Sequence, residues 1–307
     1  MITAFHHPGF AAPIGEAHIM PMRKFALVAE AVRGMSGVRI EEPDPIDPSE
    51  LLRVHTPEYV EAVQTGEPRA LAESQKFPWS EALFPSVLRT NGGVVAAAGC
   101  ALSDGIAACV ASGFHHACAD HGEGFCTFNG LVLAAERVRE AGGTDRIAVL
   151  DCDLHYGNGT AQLVVSRPWI FAVSIYGNDY ADNVPYRDVS VRRHADGPNH
   201  HSTALLAGSG RCALLDALED AFVRIRRFRP GLLLYQAGAD PYREDPYSPL
   251  DLDVDDLRER DRAVFAFARD AGIPVAWVLA GGYTKEVAKV VEVHVNTFRA
   301  ALEIYGT

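Results

Sequence analysis

The chain has no C-x-x-C pair: its six cysteines, Cys100, Cys109, Cys118, Cys126, Cys152 and Cys212, stand far apart and mostly in apolar segments. That spacing argues against a zinc ribbon or a disulfide-stapled secreted scaffold, so reduced core thiols are expected. Long hydrophobic runs are missing too. The longest, around residues 94–102, falls far short of the roughly 20 residues that cross a bilayer. The opening MITAFHHPGF lacks the basic and apolar parts of a secretory signal, which leads to a cytoplasmic expectation. Positive charge is scarce: 28 Lys and Arg stand against 40 Asp and Glu, a formal charge of −12. No basic cluster interleaves with aromatics, and a field of this sign repels phosphate, so neither nucleic acid nor an anionic membrane is expected as a partner. A cationic ligand would suit it.

What is present is an alternation. Short β-branched or apolar runs at residues 106–111, 147–150, 170–174, 232–235 and 275–279 are separated by longer stretches of helical periodicity. Phe25, Val28, Ala29 and Val32 follow that period, as do Leu214, Leu215, Leu218 and Phe222. The pattern predicts an α/β chain with a central parallel sheet covered by helices on both faces. With 307 residues, 48% of them hydrophobic, and no repeat or low-complexity linker, the expectation is one domain over 1–307. The acidic, Pro-rich residues 41–50 are expected to be a solvated loop.

Ligands of open parallel sheets bind beyond the carboxyl ends of the strands, so the residues following each run are the informative ones. Run 106–111 leads into SGFHHACADHGEGFCTFN, with His115 and His116 adjacent; run 147–150 into DCDLHYGNGT, with Asp151, Asp153 and His155 at alternate positions. Run 232–235 leads into QAGAD, ending in Asp240, and run 275–279 into AGGY, ending in Tyr283. Two carboxylates and one imidazole, Asp153, His155 and Asp240, make an open metal site with room for water and a carbonyl oxygen, as catalytic zinc requires; Fe²⁺ would also accept such ligation. Asp151 is expected to orient an imidazole or to serve a secondary cation. A lone D-x-D is more often a turn than a ligand pair and a lone H-H is a weaker signal still; His6–His7 and His200–His201, in Pro-flanked loops, are expected to be solvated or structural. The ordered coincidence of all four loops is what points to a metal-dependent hydrolase.

The order HHA…GFCxxN, DxDxHxGNGT, QxGAD and GGY resembles the histone deacetylase superfamily over nearly the whole chain, and QAGADPYREDPYSPLDLD with AGGYTKEVAKVV is most similar to its class IV branch. The resemblance implies an arginase/deacetylase-like fold and a zinc-dependent hydrolase that removes an acyl group, acetyl foremost, from an amine such as N-acyl-lysine. It also implies metal ligands at Asp153, His155 and Asp240, tandem histidines at His115 and His116, and an oxyanion-binding Tyr283. Asp151 and Asn158 would pair with the histidines. A structural potassium ion would sit at Asp151, Asp153, His155 and Ser174. Gly124 and Phe125 would line the acyl tunnel, with Arg23 in its inner channel. Asn158 departs from the aspartate frequent in the family, Tyr156 from a second His, and Gly130 from an Asp. For the opposite tunnel wall Tyr180 is a candidate, and the rim at residues 66–80 gives no reading of substrate size. An acetylpolyamine amidohydrolase and a longer-chain lysine deacylase are the nearest alternatives. A two-metal ureohydrolase is disfavoured by HH, GFC and GGY, and a silent acyl-binding module by the intact set of residues.

Overall fold

The most apolar segments become the middle of one sheet. The computed structural model describes residues 1–15, 18–179, 194 and 196–306. Among these, eight strands run parallel: β1 (Ile2–Phe5), β2 (Val38–Glu41), β3 (Ile106–Ser112), β4 (Ile147–Asp151), β5 (Ile170–Tyr176), β6 (His200–Ala204), β7 (Leu232–Ala237) and β8 (Val275–Leu279). Their order is β2-β1-β3-β8-β7-β4-β5-β6, and every neighbouring pair is parallel. Strands β3, β4, β7 and β8 are buried along their whole length. Runs such as LLLYQA, apolar at successive positions, fit strands covered on both faces.

The covering helices are α1 (Arg23–Arg33), α2 (Pro57–Thr65), α3 (Arg69–Ala72), α4 (Leu83–Asp104), α5 (Gly130–Glu140), α6 (Asn158–Val164), α7 (Arg211–Phe228), α8 (Val254–Asp270) and α9 (Val287–Tyr305). One layer packs in the series α4, α5, α6 and the other in the series α1, α9, α8, α7. Their ends follow local chemistry. Thr56 caps α2 ahead of Pro57, Asn129 caps α5, and Asp253 and Asp256 form a reciprocal capping box on α8. No helix among the described residues is long and apolar enough to cross a membrane.

The five runs read from the sequence are β3, β4, β5, β7 and β8. The three others are only four or five residues long, and β2 and β6 lie at the sheet edges, where little apolar signal is needed. One correction follows: His200 and His201 open β6 rather than lying in a loop, and His201 pairs with Asp196 at 2.6 Å. His6 is buried, and His7 caps a short turn by accepting from Gly9 N–H, so that pair is structural. Four cysteines are buried, but Cys100 is half-buried and Cys212 exposed in the first turn of α7, against the expectation of core thiols throughout.

A buried ion pair braces the two loops that carry the acidic site residues. Arg260 of α8 donates through Nη1 to the carbonyls of Gly238 (2.7 Å) and Cys152 (3.2 Å), while its Nε lies 2.9 Å from Asp261 Oδ1. Asp261 also accepts from Tyr235 (2.5 Å) and Thr297 (2.6 Å). Replacing Arg260 with Met should leave that carboxylate buried without its cation, at a cost of about 3–5 kcal/mol. Urea unfolding measures it, and a loss under about 1 kcal/mol would remove the bracing role.

Candidate active site

The chemistry-bearing loops leave four strands that are contiguous in the sheet, β3, β8, β7 and β4, so His115–His116, Tyr283, Asp240 and the Asp151–His155 segment meet at one edge. Asp153, His155 and Asp240 offer ligand atoms that all lie within 4.8 Å of one another, and all three residues are buried. Backbone donors set the carboxylates in place: Gly281 N–H reaches Asp153 Oδ2 at 2.7 Å, His155 N–H reaches Asp153 Oδ1 at 3.0 Å, and Leu154 N–H reaches Asp240 Oδ1 at 3.1 Å. Residue 281 must be glycine, because a Cβ there would stand 1.9 Å from Asp240 Oδ2. That oxygen has no hydrogen-bond partner among the described residues, although His155 Nδ1 is 3.2 Å away. Burial and the neighbouring Asp153 push Asp240 up to about 6. Two buried carboxylates, one with an unsatisfied oxygen, and a single imidazole fit a divalent cation of the zinc or iron kind.

The tandem histidines stand beside this cluster with ring centroids 3.9 Å apart. His115 Nδ1 is 2.6 Å from Asp151 Oδ2, and His116 Nδ1 is 2.6 Å from Asn158 Oδ1. Their environments differ accordingly. Burial lowers both, but the Asp151 and Asp153 carboxylates outweigh it at His115 and raise that imidazole above its usual value. At His116 burial acts together with His115 and His155, and holds it well below. The Tyr283 ring faces the cluster 6.3 Å from the His155 ring. Burial, then the Asp240 and Asp153 carboxylates, push its phenol well above the usual range, so it remains an O–H donor at neutral pH.

A mainly apolar cavity lined by Phe25, Phe77, Val87 and Phe125 also touches His115, Asp153 and Tyr283. A Histone deacetylase domain model matches residues 18–298. The chain belongs to the histone deacetylase family. It is 32% identical over 304 residues to an uncharacterized protein of Picosynechococcus sp., covering 98% of each chain. It is 28% identical to an acetylpolyamine amidohydrolase of Burkholderia pseudomallei, covering 91% of each. A crystal structure of an acetylpolyamine aminohydrolase from the same organism superposes with a TM-score of 0.82 at 22% identity, over 99% of both chains. The arginase/deacetylase-like fold is therefore this chain's fold, and this histone deacetylase family member is a hydrolase acting on amides.

The structure brings together His115, His116, Asp151, Asp153, His155, Asn158, Asp240 and Tyr283. Gly124 and Phe125 also line the cavity. Gly124 has φ +49°, and a Cβ there would meet His116 Cδ2 at 2.2 Å. Ser174 is buried and in register with Asp151. Tyr180 lies outside the described residues.

Arg23 requires correction: it is exposed at the start of α1 and does not line the cavity, whereas its neighbour Lys24 is fully buried. Lys24 Nζ donates to the Ala280 carbonyl at 2.6 Å and lies 5.7 Å from the centroid of the Tyr283 ring. Burial pulls this ammonium down to about 8. The helical period could have found it, since Lys24 sits four residues before Val28 on the inward stripe and Arg23 does not. Sequence reasoning also missed Phe77, stacked on Phe125 at 5.6 Å, and Tyr247, 5.9 Å from His155 and 5.4 Å from Tyr283. Asp245, which accepts from Tyr283 N–H at 2.6 Å, was missed as well. Phe77 comes from the rim stretch that carried no reading, and only an aromatic in a polar loop marked it.

Proposed function

We propose that the protein hydrolyses the amide of an acylated primary amine, acetyl-lysine or an acetylated polyamine foremost, with Asp153, His155 and Asp240 holding Zn²⁺ or Fe²⁺. The observation that carries the reading is that a buried two-carboxylate, one-imidazole cluster, a tandem histidine pair and a half-buried phenol stand together, with His115, Asp153 and Tyr283 lining one mainly apolar cavity. A cation held there supplies an acidified water and a polarised substrate carbonyl. His116, facing the neutral Asn158, takes the proton from the attacking water. Tyr283 donates its O–H to the carbonyl oxygen as negative charge develops, an interaction strongest in the transition state. His116 then returns the proton to the leaving amine, while His115, held by Asp151, acts as its electrostatic partner. The amine leaves through the rim and the carboxylic acid is the second product. A structural K⁺ at Asp151, Asp153, His155 and Ser174 belongs to the same reading, supported by the Asp151–Ser174 register.

The apolar side chains of Phe25 and Val87 in the lining of the same cavity support a second reading, a preference for longer acyl chains. A panel of acetyl-, octanoyl- and dodecanoyl-lysine peptides with acetylated polyamines tests both. The expected result is turnover of at least one class, lost on chelation and restored by Zn²⁺ or Fe²⁺. Turnover that survives complete removal of metal would overturn the proposal.

A further inference from the structure

Asn158 presents His116 with an ambiguity that an aspartate would not. An amide has one accepting and one donating end, and turned over it would give His116 Nδ1 an N–H instead of an oxygen. Nδ1 would then carry the lone pair and Nε2 the proton, and the nitrogen needed as a base would be a donor. What decides the orientation lies at the far end of the amide. Asn158 Nδ2 is 2.6 Å from Glu123 Oε2, and an ionised carboxylate only accepts. The amide nitrogen must therefore face Glu123, the oxygen must face His116, and His116 must carry its proton on Nδ1.

We propose that Glu123 is a positioning residue for the reaction, acting through Asn158 to fix the tautomer of His116. Glu123 is itself held: its Oε1 lies 3.1 Å from His121 Nε2, and His121 Nδ1 lies 2.7 Å from Asp120 Oδ1. Its carbonyl accepts from Cys126 N–H at 2.7 Å, and Gly124, next in sequence, abuts the His116 ring. The row His116–Asn158–Glu123–His121 runs from the buried centre to half-exposed side chains. It also accounts for the departure at position 158. The carboxylate has moved one residue outward, so His116 receives an orienting acceptor without an adjacent negative charge, and an aspartate at 158 would face Glu123 carboxylate to carboxylate.

The inference rests on the proposed reaction for its kinetic effect, but not for its tautomer. In metal-loaded protein, Glu123→Ala should lower kcat by about 10–100-fold, the usual cost of removing an orienting partner, with KM within about twofold and unchanged metal content. Asn158→Asp alone should fall similarly. Asn158→Asp combined with Glu123→Gln should recover most of the loss, because the introduced amide can donate to the introduced carboxylate while that carboxylate accepts from His116; a purely structural role for Glu123 gives no such rescue. ¹⁵N spectra of histidine-labelled protein should show His116 as the Nδ1–H tautomer in the native chain and as a mixture in Glu123→Ala. Full kcat in Glu123→Ala, a double variant no better than Asn158→Asp, or an unchanged tautomer would each overturn the proposal. Inactivity of the native chain on every acyl amine would instead count against the reaction, and the spectra would still decide the role of Glu123.

Discussion

Replacing Asp240 with alanine should leave a folded protein that neither retains its metal nor turns over substrate. Among the described residues, Asp240 is one of three ligand side chains in the cluster, and its Oδ2 is the oxygen with no hydrogen bond there to give up when a cation binds. With it gone, one carboxylate and one imidazole remain, and the loss in affinity should exceed the roughly 10–100-fold that removal of an outer partner costs. The fold should tolerate the change. Burial and Asp153 make ionised Asp240 costly where it stands, so alanine removes that cost while leaving Leu154 N–H without its acceptor. A residue kept where it strains the fold serves something other than the fold. Elemental analysis after dialysis should find metal well below stoichiometric, and near-stoichiometric metal would take Asp240 out of the ligand set.

Tyr283→Phe should separate binding from chemistry. The loop is set by its backbone, through Tyr283 N–H to Asp245 and Ala239 N–H to the Gly281 carbonyl, so a phenylalanine ring should keep its place between Phe125 and Tyr247. Only the hydroxyl is lost. If it donates to charge that appears in the transition state, kcat should fall by about 10²–10³-fold, the range for a lost oxyanion donor, with metal content and KM little changed. A rise in KM at unchanged kcat would instead mean that the hydroxyl binds the ground state.

The candidate site was legible in the sequence because a parallel sheet converts sequence position into spatial position. Residues just beyond β3, β4, β7 and β8 must gather at one edge, and those strands are buried enough to announce themselves. The pairings His115–Asp151 and His116–Asn158 follow the same convergence. What was lost lay where a local signal is weak or shared. Edge strand β6 begins with two histidines, which are not among the β-branched and large aromatic residues that mark a strand, and so resembles a loop. Arg23 and Lys24 are adjacent cations that differ only in helical phase, about 100° apart, and that phase decides which is buried. Glu123 and Asp245 act through single hydrogen bonds across loops, a relation that no spacing along the chain encodes.

A second group of potential ligands, Cys118, His121 and Glu123, lies near the rim, and it contains a sulfur that the buried cluster lacks. Zinc-edge X-ray absorption on stoichiometrically loaded protein separates the two directly. Coordination by Asp153, His155 and Asp240 should give only nitrogen and oxygen neighbours at about 2.0–2.2 Å, including one imidazole. A sulfur neighbour at about 2.3 Å would place the ion elsewhere and contradict the account.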